Sequence, residues 1–184
     1  MINMIVEKTH ERKTMTINDA IQDCKKSKLT EWELVKYAQL LVHNNMTYSY
    51  NNSFDMPSKA FKKGRGYCWQ QAKILQKILN ELGFNCYLVY AVKNEFPEKT
   101  FENVKIKAYI SGHVWCRVKI NDFEKDVCSG NVNNSPDSVH FKPLSTVKKW
   151  NWFISFWSYW GSAYVNHKRL IEINKLKHNS GIPI

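Results

Sequence analysis

Residues 62–84 read KKGRGYCWQQAKILQKILNELGF. Taking Cys68 as the first helical position, Ala72, Leu75, Leu79 and Leu82 follow at offsets of 4, 7, 11 and 14. That spacing predicts an amphipathic helix over 67–82, ended by Gly83. Cys68 then lies in the first turn and on the inward face. The unpaired N–H groups and macrodipole of a helix start favour negative charge, which lowers a thiol's pKa and stabilises the thiolate. The same N–H groups suit an oxyanion. Gly64 and Gly66 let the backbone turn tightly and leave room for a substrate chain. The competing reading is a buried structural cysteine, a common fate of this residue.

Outward from this helix, the flanking segments define the fold class. Residues 16–28 (TINDAIQDCKKSK) open on a Thr/Asn cap signal and read as a helix. A second follows Thr30, with Trp32, Val35, Ala38, Leu41 and Val42 at helical spacing. The polar stretch 44–61 reads as a loop, with Pro57 closing off any long helix through it. After Gly83, Cys86–Val92 has strand composition, and FENVKIKAYI (101–110) reads as a second strand. HVWCRVKI (113–120) and FEKDVCS (123–129) flank Asn121-Asp122, a hairpin signal. Helices first and an antiparallel sheet after them describe an α+β domain.

A cysteine nucleophile needs a base, and the base an orienting group. Among six histidines, His113 is the one that opens a credible strand. Val114, Cys116, Val118 and Ile120 form that strand's apolar face; His113, Trp115, Arg117 and Lys119 face the other way. A histidine at the end of a strand, on the less apolar face, is well placed to line a cleft. Zinc at His113, Cys116 and Cys128 is discounted, since residues three apart on a strand point to opposite faces and no fourth ligand is evident. No metal or cofactor is expected.

The three segments GRGYCWQQAKIL, SGHVWCRVKI and EKDVCSG together resemble the core of the transglutaminase-like superfamily over about residues 64–130. The resemblance implies a papain-like α+β fold, with N-terminal helices packed on an antiparallel sheet. Its chemistry is acyl transfer through a thioester that passes to water (peptidase or amidase) or to an amine. By analogy Cys68 is the nucleophile, His113 the base and Asp126 the residue that orients it. Many relatives carry their aspartate nearer to where Cys128 falls. A two-residue turn would put 117 opposite 126 and leave Asp126 about 13 Å along the sheet from His113. A four-residue loop would make Asp126 a diagonal neighbour. Trp69 and Trp115 are expected to wall the thiol site, and the Cys68 N–H with Tyr48, Asn51 or Asn52 to form the oxyanion hole. Arylamine N-acetyltransferases also resemble this chain, through ELGFNCYLVYAV and DVCSG. A third reading is a non-catalytic binding module on the same scaffold.

The remaining features set bounds. The chain has 184 residues, 43% hydrophobic and 14% aromatic, enough for one domain with a real core. The expected layout is a single domain over 1–184: a helical lead-in at 15–60, a catalytic core at 61–135 and an aromatic-rich segment at 140–178. Five cysteines with no CxxC pair do not suggest a disulfide framework. The start, MINMIVEKTHERK, does not read as a signal peptide, and no run of about 18 apolar residues predicts a spanning helix. The expectation is therefore a cytoplasmic protein with no transmembrane segment. The net charge of +11 comes from scattered lysines, with no basic helix face or aromatic platform, so nucleic acid is not expected, and a peptide or protein substrate is what the resemblance implies. No oligomerisation signal is evident. Eight aromatic residues crowd 150–164, flanked by lysines. Burial on both sides is the leading reading of that segment, with a membrane interface or an aromatic cleft as alternatives.

Overall fold

The computed structural model describes residues 15–101 and 104–179. The stretch 1–13, read above against a signal peptide, and residues 102–103 of the expected second strand lie outside the described residues. In chain order the elements are α1 (Ile17–Lys26), α2 (Glu31–Asn45), β1 (Thr47–Tyr48), α3 (Pro57–Lys62), β2 (Arg65–Gly66), α4 (Cys68–Glu81) and β3 (Asn85–Phe96). They continue with β4 (Lys99–Phe101), β5 (Val104–Ile106), β6 (Tyr109–Ile120), β7 (Phe123–Val127), β8 (Lys142–Pro143), β9 (Lys148–Lys149) and α5 (Trp152–Asn179). This is the expected α+β order. Among the described residues, no helix is long and apolar enough to cross a membrane.

Local chemistry sets most boundaries. Thr16 caps α1 through its side chain, and Asp19 reaches back to the Thr16 N–H at 2.9 Å, a reciprocal capping box. Gly83, at φ +90°, follows α4 in a backbone region that side chains avoid. Pro57 behaves differently from the expectation. It is the first residue of α3, where its missing N–H costs nothing, so the expected loop contains a short helix. The segment 101–110 is also not one strand: β4 and β5 form their own small hairpin, and β6 starts at Tyr109.

The main sheet runs β7-β6-β3-β8, with β9 also on β3, and every pairing in it is antiparallel. The β6–β7 hairpin turns on two residues, with Ile120 opposite Phe123, Arg117 opposite Asp126 and Asn121 at φ +53°. Between β3 and β6 the register shifts by one residue after Ala91↔His113. Asn94 spans the bulge by donating to the carbonyls of Ala91 and Ser111. Bulges of this kind re-aim the side chains beside them.

α4 packs on β3 and β6 and against α1, α2 and α3, so it is the hub of the main core. Cys116 of β6 donates its S–H to the Ala72 carbonyl at 3.2 Å, tying helix to sheet. The reverse face of the sheet is buried as well. Val89, Ala91, Phe96, Trp115, Cys128 and Phe141 form a second apolar cluster, so the face that carries His113 is apolar to a degree the alternation did not suggest. The aromatic segment corrects the leading expectation. It is one long helix in which Trp152, Phe153, Phe156, Trp160 and Tyr164 are exposed. A helix with aromatic residues around much of its circumference cannot hide all of them against one neighbour. Trp150, just before it, packs edge-on against Tyr90.

Leu79 is fully buried on α4 whereas Phe123 is 67% exposed at the hairpin tip. In urea melts followed by circular dichroism, Leu79→Ala is expected to lower stability by about 2–5 kcal/mol. Phe123→Ala is expected to change it by less than about 0.5 kcal/mol.

Candidate active site

Cys68 is the first residue of α4, with Tyr67 as the N-cap, and is half-buried. No hydroxyl or carboxylate residue of the usual capping types stands at Tyr67. Instead the third helical residue, Gln70, reaches back: its Oε1 accepts the Tyr67 N–H at 3.1 Å. Its Nε2 donates to the carbonyls of Asn52 and Asp55 at 3.0 and 2.7 Å. Gln70 is fully buried, and Gly66 makes room for it, since a Cβ at that position would meet Gln70 Oε1 at 2.7 Å. The β1–β2 pairing then sets Tyr48 opposite Gly66, two residues from the thiol.

His113 reaches the same place from β6. A small cavity of about 10 Å³ is lined by Cys68, Gln71, His113, Trp115, Cys128 and Ser129 among others. It adjoins, through Gln71 and His113, a cleft of about 450 Å³ lined by His43, Tyr48, Phe96 and His140 among others. A larger opening of about 620 Å³, near Asp19, Asp23, Lys26 and Lys62, holds none of the candidate site residues. His113 is only 7% exposed and packed by rings. Trp115 stacks on it (5.9 Å between centroids, 16° between planes), and Phe141 and Phe96 meet it edge-on at 4.5 and 5.3 Å.

The orienting position differs from the expectation. Because the hairpin turns on two residues, Asp126 faces Arg117, which donates to both carboxylate oxygens at 2.7 and 3.2 Å. The strand carries it about 13 Å from His113. The structure does not bring Asp126 to the imidazole. His113 Nε2 lies instead 3.4 Å from Sγ of Cys128. Cys128 is buried, and its thiol is pushed up to about 12, first by that burial and also by the neighbouring Cys68 and Asp126, while the Gly130 N–H, 3.4 Å away, pulls the other way.

Of the other expected residues, Tyr48 lines the cleft. Its phenol is held well above its ordinary pKa by burial, then by Cys68, Tyr50 and Tyr109, so it stays an O–H donor near neutrality. Asn52 donates to the Arg65 carbonyl, which commits it to the loop, and Asn51 is exposed. Trp115 lines the small cavity, whereas Trp69 stacks on Tyr67 and packs against the main core. The sequence reading passed over His140 and His43. His140 Nδ1 lies 2.9 Å from the Asn134 amide, and His43 Nδ1 lies 2.9 Å from the Ser129 carbonyl. His43 lies in α2 but outside the apolar spacing that marks the helix, and His140 lies outside any periodic segment.

A family model described as the transglutaminase-like superfamily matches residues 17–124. The match includes Cys68 and His113 and ends before Asp126 and Cys128. Among solved structures, a TGase is similar at 18% identity and a TM-score of 0.46, over 64% of this chain and 31% of that one. A proposed cysteine protease from Cytophaga hutchinsonii is similar at 13% identity and a TM-score of 0.42, over 73% of this chain and 49% of that one. The chain thus spans under a third of the first and about half of the second. No curated protein matches.

Gln70→Ala would take from the Tyr67 N–H and the part-buried Asp55 carbonyl the partner they now share, whereas the Asn52 carbonyl keeps the Asp55 N–H. A loss of about 2–4 kcal/mol is expected, at roughly 1–3 kcal/mol per stranded group with partial relaxation. Chemical denaturation checks the loss. A similarly destabilised Leu79→Ala serves as the control for Cys68 reactivity, which is expected to fall only in the Gln70 variant.

Proposed function

The chain belongs to the transglutaminase-like superfamily, and on that premise we propose that it is a cysteine-nucleophile enzyme that transfers acyl groups from peptide amides through a thioester. The observation that carries this reading is the cavity shared by Cys68, at the start of α4, and His113 of β6. The catalytic core in this proposal is 61–135, backed by the helical lead-in.

In the proposed cycle His113 takes the Cys68 proton and Sγ attacks the amide carbonyl carbon. As the C–S bond forms, the carbonyl π pair moves onto oxygen, which accepts hydrogen bonds from the Cys68 backbone N–H and the Tyr48 O–H. Collapse breaks the C–N bond, and the amine leaves with the proton held by His113. Water or a second amine then attacks the thioester, giving up its proton to His113. The acyl group departs as an acid or a new amide, and Cys68 recovers its proton. The Trp115 ring beside the imidazole limits water at the reacting atoms. The open cleft of about 450 Å³ has room for a peptide segment on one side of the thiol.

Selective labelling of Cys68 by a thiol alkylator is not diagnostic by itself. Cys24, Cys86, Cys116 and Cys128 are all buried, so exposure alone would favour Cys68. The discriminating measurement is the labelling rate across a pH series in His113→Ala. Losing a cationic partner raises a thiol's pKa by about 1–3 units, so labelling at neutral pH is expected to drop about tenfold or more. The same variant and Cys68→Ala are expected to abolish release of amine from a peptide amide. A His113→Ala protein that labels like the wild type would remove the base from this reading.

A further inference from the structure

We infer that Cys128 is the positioning residue of His113, a neutral thiol standing where a base of this kind is ordinarily held by a carboxylate. The inference rests on the reading of His113 as the base. A base that takes a proton on one ring nitrogen needs the other fixed, because that contact sets both tautomer and ring direction. Three observations put Cys128 in that role. Nε2 of His113 is 3.4 Å from Sγ, and both side chains are buried. The sulfur is itself held, because the Gly130 N–H donates to it at 3.4 Å and the Asn134 amide donates to the Cys128 carbonyl at 2.8 Å. The residue after next must be small, since a Cβ on Gly130 would come within 3.3 Å of that sulfur and 3.1 Å of the His140 ring.

The carboxylate expected in that role, Asp126, is engaged elsewhere, in its paired bonds to Arg117. Among the described residues lining the cleft and the small cavity there is no Asp or Glu. The titratable side chains around His113 are Cys68 from α4, Tyr48 from β1, Tyr109 from its own strand, Cys128 after β7, and His140. His43 of α2 lines the same cleft, and the Arg117–Asp126 pair lies farther along the sheet.

The consequence is electrostatic. In this arrangement Nδ1 takes the Cys68 proton, and Nε2 carries the hydrogen and points it at sulfur, a weak acceptor. The contact orients the ring but adds little to the stability of an imidazolium. The thiolate–imidazolium pair is therefore less favoured than it would be beside a carboxylate. A carboxylate at 128 would raise the imidazole's pKa, stabilise that ion pair and lower the pH at which Cys68 becomes reactive.

The test is the pH profile of Cys68 alkylation, read by peptide mapping, in the wild type and in Cys128→Ser, Cys128→Ala and Cys128→Asp, with thermal melts to verify folding. Cys128→Ser keeps a polar partner and is expected to hold within about threefold of the wild-type rate, whereas Cys128→Ala slows labelling about tenfold near neutrality. Cys128→Asp is expected to shift the onset of labelling down by about one pH unit or more. Asp126→Asn is expected to leave the onset where it is. Wild-type profiles in both the Ala and Asp variants, or an onset that moves with Asp126 instead, would overturn the assignment. Should the Asp variant not fold, the Ser and Ala pair still decides, because a purely structural thiol would change the melting temperature and not the profile. If His113→Ala is also without effect, the base reading itself has failed. If His113 matters and Cys128 does not, only this inference has.

Discussion

Everything at the site depends on one buried amide holding the first turn of α4 in place. A helix start exposes N–H groups with no acceptor inside the helix. A thiol placed there gains their electrostatic support only if the turn does not fray. Gln70 meets the requirement from within the helix. It takes the Tyr67 N–H on one side and clamps the 52–55 backbone on the other. Gly66 is small because that amide and Met46 approach it closely. The Cys116–Ala72 contact, one turn along α4, then fixes the helix against the strand that carries His113. The distance between thiol and imidazole is thus set by buried polar contacts at two levels of the same helix, and apolar packing fills the space between.

The opposite wall of the site is built the same way, by α2. Gln39 and His43 lie one helical turn apart, and both reach the segment after β7. Gln39 donates to the Asn134 carbonyl at 2.7 Å, and His43 Nδ1 lies 2.9 Å from the Ser129 carbonyl. Asn134 passes the restraint on to the Cys128 carbonyl. The helical lead-in is therefore more than a cover for the core. It pins a segment of little regular structure that holds Cys128 and His140 near the sheet. Buried polar contacts specify such a segment better than apolar ones, because each lost partner leaves a desolvated group behind.

How much of this was legible follows from where the information lies. α4 and its inward thiol could be read because helical periodicity is local, and the β6–β7 hairpin because Asn-Asp marks its own turn. The two-residue turn even contains the correction to Asp126, since it forces 126 opposite 117. Pro57 was read as a breaker because the rule for helix interiors was applied to what is a first helical position. The β4–β5 hairpin was missed because it interrupts a continuous stretch of strand-like composition. His140, His43 and the clamp on Cys128 were invisible for a different reason. His43 meets its partner 86 positions away, and His140 and the clamp are held within a segment of little regular structure, so no spacing rule reports either kind of contact. The long aromatic helix was misjudged because apolar content says nothing about which faces find a neighbour.

On the proposed reading of His113 as the base, a thiol beside it is tolerable because orientation and charge are supplied separately. In an arrangement that relies on a carboxylate, one group does both. Around His113 the direction of the ring is already limited by Trp115 on its face and by Phe96 and Phe141 at its edges. The contact to Cys128 then needs to select only the tautomer. In the proposed cycle, negative charge at Cys68 is supported from the other side, by the start of α4, and charge developing on a substrate oxygen by the protonated Tyr48. Three weak influences from three elements replace one strong one. That division explains why a buried, apolar setting, which would penalise a carboxylate at 128 unless it were well paired, can still serve an imidazole.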